Sequence, residues 1–139
     1  MTTFQADASE QGRQFSEQCD FLLRSKGFSL ESRVVLTDVG VEIDRAARSR
    51  RGLLVWFEYK GSLRGARPGL RRTDTLKKAI ANGALVRGLA AHPPFIVLTS
   101  HLPIQGSGMA MLDMANRLGY FHDVICIYDP AQAVRLDTL

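Results

Sequence analysis

The run Leu53-Leu54-Val55-Trp56-Phe57-Glu58-Tyr59-Lys60 has the β-branched and aromatic content of a strand, yet it closes on an acid and a base set into apolar surroundings. Side chains alternate along a strand, so Glu58 and Lys60 share one face while Phe57 and Tyr59 share the other. Burying a charge is costly, so a strand this apolar keeps one only where a partner or a reaction retains it. Upstream, Ser49-Arg50-Arg51-Gly52 has the glycine and the charged tip of a hairpin turn, and residues 40–47 read as the preceding strand. On that strand Glu42 and Asp44 share a face, with Val41 and Ile43 opposite. Pairing the two strands as a hairpin lets Glu42, Asp44, Glu58 and Lys60 converge.

The remaining periodicities surround this hairpin with helices. Phe15, Cys19, Leu22 and Leu23 recur at spacings of three and four, which predicts a helix over residues 7–26, with Gly27 placed to end it. Residues 28–36 read as a further strand. Residues 61–72, with three glycines, one proline and four arginines, read as a loop. Thr73 and Asp74 then offer capping side chains to a helix ending near His92, on which Leu76, Ile80 and Leu85 with Ala79, Gly83 and Ala84 make a packable face. Pro93-Pro94 ends it, and residues 94–100 read as a fully buried strand. Residues 106–119 give a third helix, with Met109, Leu112, Ala115 and Leu118 on one side, and residues 123–128 the last strand. The order α-β-β-β-α-β-α-β predicts an α/β fold with a mixed central sheet flanked by helices, in a single domain across residues 1–139.

Charge is distributed unevenly. Residues 45–78 hold eleven basic and two acidic residues, whereas the rest of the chain holds seven basic and twelve acidic ones. A basic block in an otherwise acidic protein points to a polyanionic partner, because cations that neutralise phosphates release counterions. A solvated basic face is the plain alternative. No apolar run is long enough to cross a bilayer and the polar start is unlike a signal peptide, so a cytoplasmic protein with no membrane partner is expected. Cys19 and Cys126 lie outside any CxxC spacing and are expected as core thiols. His92, His101 and His122 lack the spacing of a zinc site, and the Gly106–Ala110 segment lacks the lysine of a P-loop.

Two carboxylates and an ammonium form a chemically consistent set. Carboxylates at Asp44 and Glu58 are hard oxygen ligands suited to Mg²⁺, and a lysine beside them can orient the attacking water or stabilise developing negative charge. A salt-bridge cluster on the sheet is the structural alternative.

Asp44, followed after a hairpin-length gap by Glu58-Tyr59-Lys60, resembles the D…(D/E)XK signature of the PD-(D/E)XK nuclease superfamily, which includes restriction enzymes, Holliday-junction resolvases and repair nucleases. The resemblance covers the order of elements over most of the chain but few identities, and Ile43 stands where that signature has proline. It implies a restriction-endonuclease-like core and a Mg²⁺-dependent DNA endonuclease, with Mn²⁺ as a substitute. It also implies catalytic roles for Asp44, Glu58 and Lys60, a metal held by Asp44, Glu58 and Tyr59, and a supporting acid on the first helix at Glu17, with Glu10 next in line. Arg64, Arg67, Arg71, Arg72, Lys77 and Lys78 are assigned to phosphate contact. The chain is small for sequence readout, which favours structure-directed cutting or action beside a protein partner, and the resemblance implies a homodimer. The alternatives are a catalytically silent nucleic-acid-binding module of a larger complex and a structural assembly protein.

Overall fold

The computed structural model describes residues 3–62 and 67–139, with side chains from residue 9 onward. Helix α1 (Thr3–Ser25) precedes β1 (Ser29–Leu30), β2 (Val34–Leu36), β3 (Val41–Ile43), β4 (Arg45–Arg48) and β5 (Leu54–Lys60). After a 3-10 turn at Gly69–Arg71 come α2 (Thr73–Arg87), β6 (Phe95–Thr99), α3 (Gly106–Arg117) and β7 (Asp123–Cys126). A short α4 (Pro130–Ala133) and a 3-10 turn (Val134–Thr138) close the chain. The protein is thus mixed α/β, with a five-stranded sheet in the order β1-β4-β5-β6-β7. Strands β4 and β5 form the antiparallel hairpin read from the sequence, while β5, β6 and β7 run parallel.

Two cores, one on each face of the sheet, hold it between helices. On one face Phe57, Val55, Ile96, Leu98 and Ile125 pack against Phe15, Cys19 and Leu23 of α1 and against Leu136. On the other, Trp56, Val97 and Val124 pack against Leu76, Ala79 and Val86 of α2 and Leu112 and Ala115 of α3. β6 is buried along its whole length, as a parallel strand covered on both faces must be.

Several boundaries differ from the sequence reading. The strand expected over residues 40–47 breaks at Asp44 into β3 and β4, because β3 leaves the main sheet to pair with β2 in a separate two-stranded sheet. Val41 and Ile43 are buried there against the α2 core, which turns Glu42 outward. Helix α2 ends at Arg87 rather than near His92, with Gly88 as its C-cap. Its N-cap is Arg72, without a side-chain cap, so Thr73 and Asp74 begin the helix itself. On α3 the covered residues are Gly108, Leu112 and Ala115, whereas Met109 and Leu118 face solvent. Likewise Leu85 of α2 is exposed and Val86 takes its place in the core.

Candidate functional site

The hairpin register sets the central geometry. Arg45 pairs with Phe57 at the end of the β4–β5 ladder, so Asp44 stands at the bend just beyond it. The Asp44 carboxylate accepts the Tyr59 backbone N–H at 2.8 Å, which ties the bend between β3 and β4 to β5 just past Glu58. Glu58 projects to the α2 face and is only 2 % exposed. There its Oε1 accepts from Asn82 Nδ2 at 2.6 Å and lies 3.6 Å from Lys60 Nζ. Its other oxygen, Oε2, is buried and has no hydrogen-bond partner.

That orphaned oxygen defines the electrostatics. Burial pushes the Glu58 carboxyl up to about 7, against the lowering effects of Lys60 and Asn82 and with a further push from Asp44. A carboxylate dehydrated to this degree and left with a free lone pair is a group that gains most from a cation. Asp44, whose Oδ2 holds the Tyr59 N–H, is the neighbouring carboxylate that acts on Glu58 electrostatically. Among the described residues no three histidine, cysteine or acidic side chains gather as a metal site, so the acidic side chains available to a cation here are Glu58 and Asp44. Within those limits the chemistry of the pair fits Mg²⁺ or Mn²⁺: oxygen donors only, partly desolvated, with the rest of the shell left to water or substrate.

The other predicted residues divide. Lys60 lies 3.6 Å from Glu58, and Asp44 binds the backbone of Tyr59 between them and acts on Glu58 electrostatically. Glu42 does not join them; it sits in the small sheet, exposed, 3.8 Å from Arg33. The Tyr59 side chain projects to the opposite face, where its hydroxyl donates to Asp20 Oδ1 at 2.6 Å, so only its main chain faces the site. Glu17 is well exposed, pairs with Arg13 at 2.6 Å, and lines a groove with Phe21, Ile127 and Tyr128 on the α1 side of the sheet. Glu10 pairs with the same arginine. The α1 carboxylate that reaches the sheet is instead Asp20, which accepts two hydrogen bonds from Arg45, at 3.0 and 2.7 Å, besides that of Tyr59. Burial and the Asp20 carboxylate both push the Tyr59 phenol up, so it stays protonated as the donor.

Asn82 carries a signal that sequence reasoning passed over: a lone polar residue beside the buried stripe Leu76, Ala79, Gly83 and Val86 of α2. Asp20 carries no comparable local signal, because its partners lie 25 and 39 residues away. Cys19 is fully buried, and burial raises its thiol pKa; Cys126 is half-buried, and both are free thiols.

Arg67, Arg71, Arg72, Lys77 and Lys78 are all exposed around the 3-10 turn and the first turns of α2. None has an acidic partner among the described residues. Arg64 lies outside the described residues. The ends of this loop are fastened to the carboxyl end of β6: Ser62 N–H donates to Ser100 Oγ at 3.1 Å and Leu70 N–H to His101 O at 3.0 Å. No family model, curated protein or solved structure matches the chain. No helix is long and apolar enough to cross a membrane among the described residues.

Proposed function

We propose that the protein is a metal-dependent DNA endonuclease with a restriction-endonuclease-like core, in which Asp44, Glu58 and Lys60 hydrolyse a phosphodiester. The observation that carries this reading is the buried Glu58 with its unpartnered Oε2, set 3.6 Å from Lys60 and in the electrostatic field of Asp44. An ordinary structural ion pair leaves no acceptor desolvated and idle, since that state costs stability with nothing to offset it.

Asp44 and Glu58 would hold the cation, which when bound supplies positive charge for the phosphoryl oxygens and acidity for a coordinated water. Asn82 fixes Glu58 through Oε1 and leaves Oε2 without a partner. Lys60 stands at the open end of β5, half-buried, where its ammonium can hold the attacking water or steady charge on the scissile phosphate. The exposed cations of the loop and α2 begin a few residues past Lys60 and supply the sequence-independent grip on the backbone.

The test is cleavage of plasmid, linear duplex, single-stranded and four-way-junction DNA in Mg²⁺, Mn²⁺ or EDTA. Cutting that needs the metal and disappears in Lys60→Ala and Glu58→Gln supports the reading. Salt-dependent binding without cutting in either metal replaces it with a silent nucleic-acid-binding module.

A further inference from the structure

The carboxyl end of β6 carries polar groups that the proposed chemistry does not use. Thr99, which pairs in register with Lys60, and Ser100 are both buried. They hold His101 at several points. The His101 N–H donates to Thr99 Oγ1 at 3.3 Å, and its carbonyl accepts from the Thr99 hydroxyl at 3.1 Å and from Leu70 N–H at 3.0 Å. The imidazole Nδ1 lies 2.9 Å from Ser100 Oγ.

Proton accounting among the described residues then points to one tautomer of the ring. Ser100 Oγ already accepts the Ser62 N–H, and a hydroxyl that is 2 % exposed must place its own hydrogen on an acceptor. Among the described residues its remaining partner is His101 Nδ1. Nδ1 therefore accepts, and the ring hydrogen resides on Nε2, the nitrogen with no partner among the described residues. Burial, and to a lesser extent the Arg71 charge, hold the imidazole pKa below its ordinary value, which favours the neutral ring.

Arg71 stands over the same strand end. Its Nε donates to Leu102 O at 3.4 Å, which leaves the terminal guanidinium nitrogens uncommitted, and no described acid pairs with it. The turn that delivers it depends on Gly69 at φ +58°, whose missing Cβ would fall 2.7 Å from Ser100 Oγ and 2.9 Å from His101 N. A glycine is thus required for the arginine and the histidine to approach. Arg71 is exposed and His101 half-buried, and no described acid pairs with either, so a neutral N–H donor and a guanidinium at one strand end form a complement to an oxyanion.

We propose that His101 and Arg71 form a phosphate-oxygen subsite at the carboxyl end of β6, in which the imidazole donates from Nε2 as a neutral group and the guanidinium supplies the charge. The ligand is a nucleic-acid phosphodiester next to the one held at Lys60; that identity rests on the nuclease reading, whereas the geometry of the donors does not.

The experiment measures binding of a short fluorescein-labelled DNA duplex to the whole protein in EDTA over a range of salt. Arg71→Gln should reduce the slope of log K against log salt by about 0.9, the signature of one lost phosphate contact. His101→Phe should weaken binding about tenfold at every salt concentration with the parent slope, because it removes a hydrogen bond and no charge. His101→Gln, which keeps an N–H donor, should recover most of that loss. The proposal is overturned if His101→Phe binds like the parent, if its slope falls as for the arginine, or if the parent binds no duplex. Nitrogen-15 NMR of the parent's histidines checks the tautomer without any substitution, and a His101 ring protonated at Nδ1 alone also overturns the proposal. Binding in EDTA with no cleavage in Mg²⁺ or Mn²⁺ leaves the subsite standing and removes the nuclease.

Discussion

Glu58→Gln separates the cost of the buried carboxylate from its use. In the folded chain the carboxyl is pushed from its ordinary 4.5 up to about 7, so the native state binds this proton more tightly than the unfolded one. Stability is therefore fully present below the unfolded value of 4.5 and is lost as pH rises toward about 7, beyond which the loss is constant. With 1.36 kcal/mol per pH unit, a rise from 4.5 to about 7 corresponds to about 3 kcal/mol at pH 8. In a chain of 139 residues that is a melting temperature lower by about 10 °C at pH 8 than at pH 4.5 from this one group. The glutamine side chain would keep an acceptor for Asn82 and carry no charge, so thermal melts of the variant from pH 5 to pH 8 should lack that component of the parent's decline. A saturating divalent metal at pH 8 should restore the parent, by about 2.7 kcal/mol at one hundred times the dissociation constant, and leave Glu58→Gln unmoved. Parallel pH profiles for the two proteins would refute the argument from desolvation. Equal stabilisation of both by metal would refute Glu58 as a ligand.

Further substitutions read the neighbouring contacts. Asp44→Asn keeps an oxygen for Tyr59 N–H and should hold stability within about 1 kcal/mol in urea melts while abolishing metal-dependent cutting, whereas Asp44→Ala also strands that N–H and should cost about 1–3 kcal/mol. Asp20→Asn should cost about 2 kcal/mol in the same melts, the loss of a half-buried bidentate pair discounted for its partial exposure. Glu17→Ala should stay within about 0.5 kcal/mol and cut at the parental rate, since its partner Arg13 is exposed too. Neutralising Lys77 and Lys78 together should flatten the salt dependence of duplex binding by up to about 1.8 in slope if both touch phosphates.

How far the sequence carries depends on the range of the interaction. The β4–β5 hairpin was legible because its turn residues and its alternation are local, and the burial of β6 because five consecutive apolar or small residues admit little else. The break at Asp44 shows in the sequence only as the end of the alternation at the adjacent polar pair Asp44-Arg45, and its cause, the competing pairing of β3 with β2, is not local. Helix propensity ran past Arg87 for a similar reason: the C-cap Gly88 keeps right-handed helical angles, so no left-handed glycine marks the end of α2.

The same distinction orders the site. The neighbourhood of Glu58 and Lys60 was legible because strand alternation is a short-range rule, and the hairpin brings Asp44 to the bend just past Arg45. The groups that support them come from afar: Asn82 reaches Glu58 across 24 residues, and Ser100 reaches the loop after Lys60 across 38. No spacing rule joins residues at such separations. What does mark them is a mismatch in polarity, an asparagine beside an apolar helical stripe and a Thr-Ser pair at the end of a strand otherwise wholly apolar. Each polar group so placed must be satisfied by something the fold brings to it, and here what the fold brings is the carboxylate and the loop on either side of Lys60.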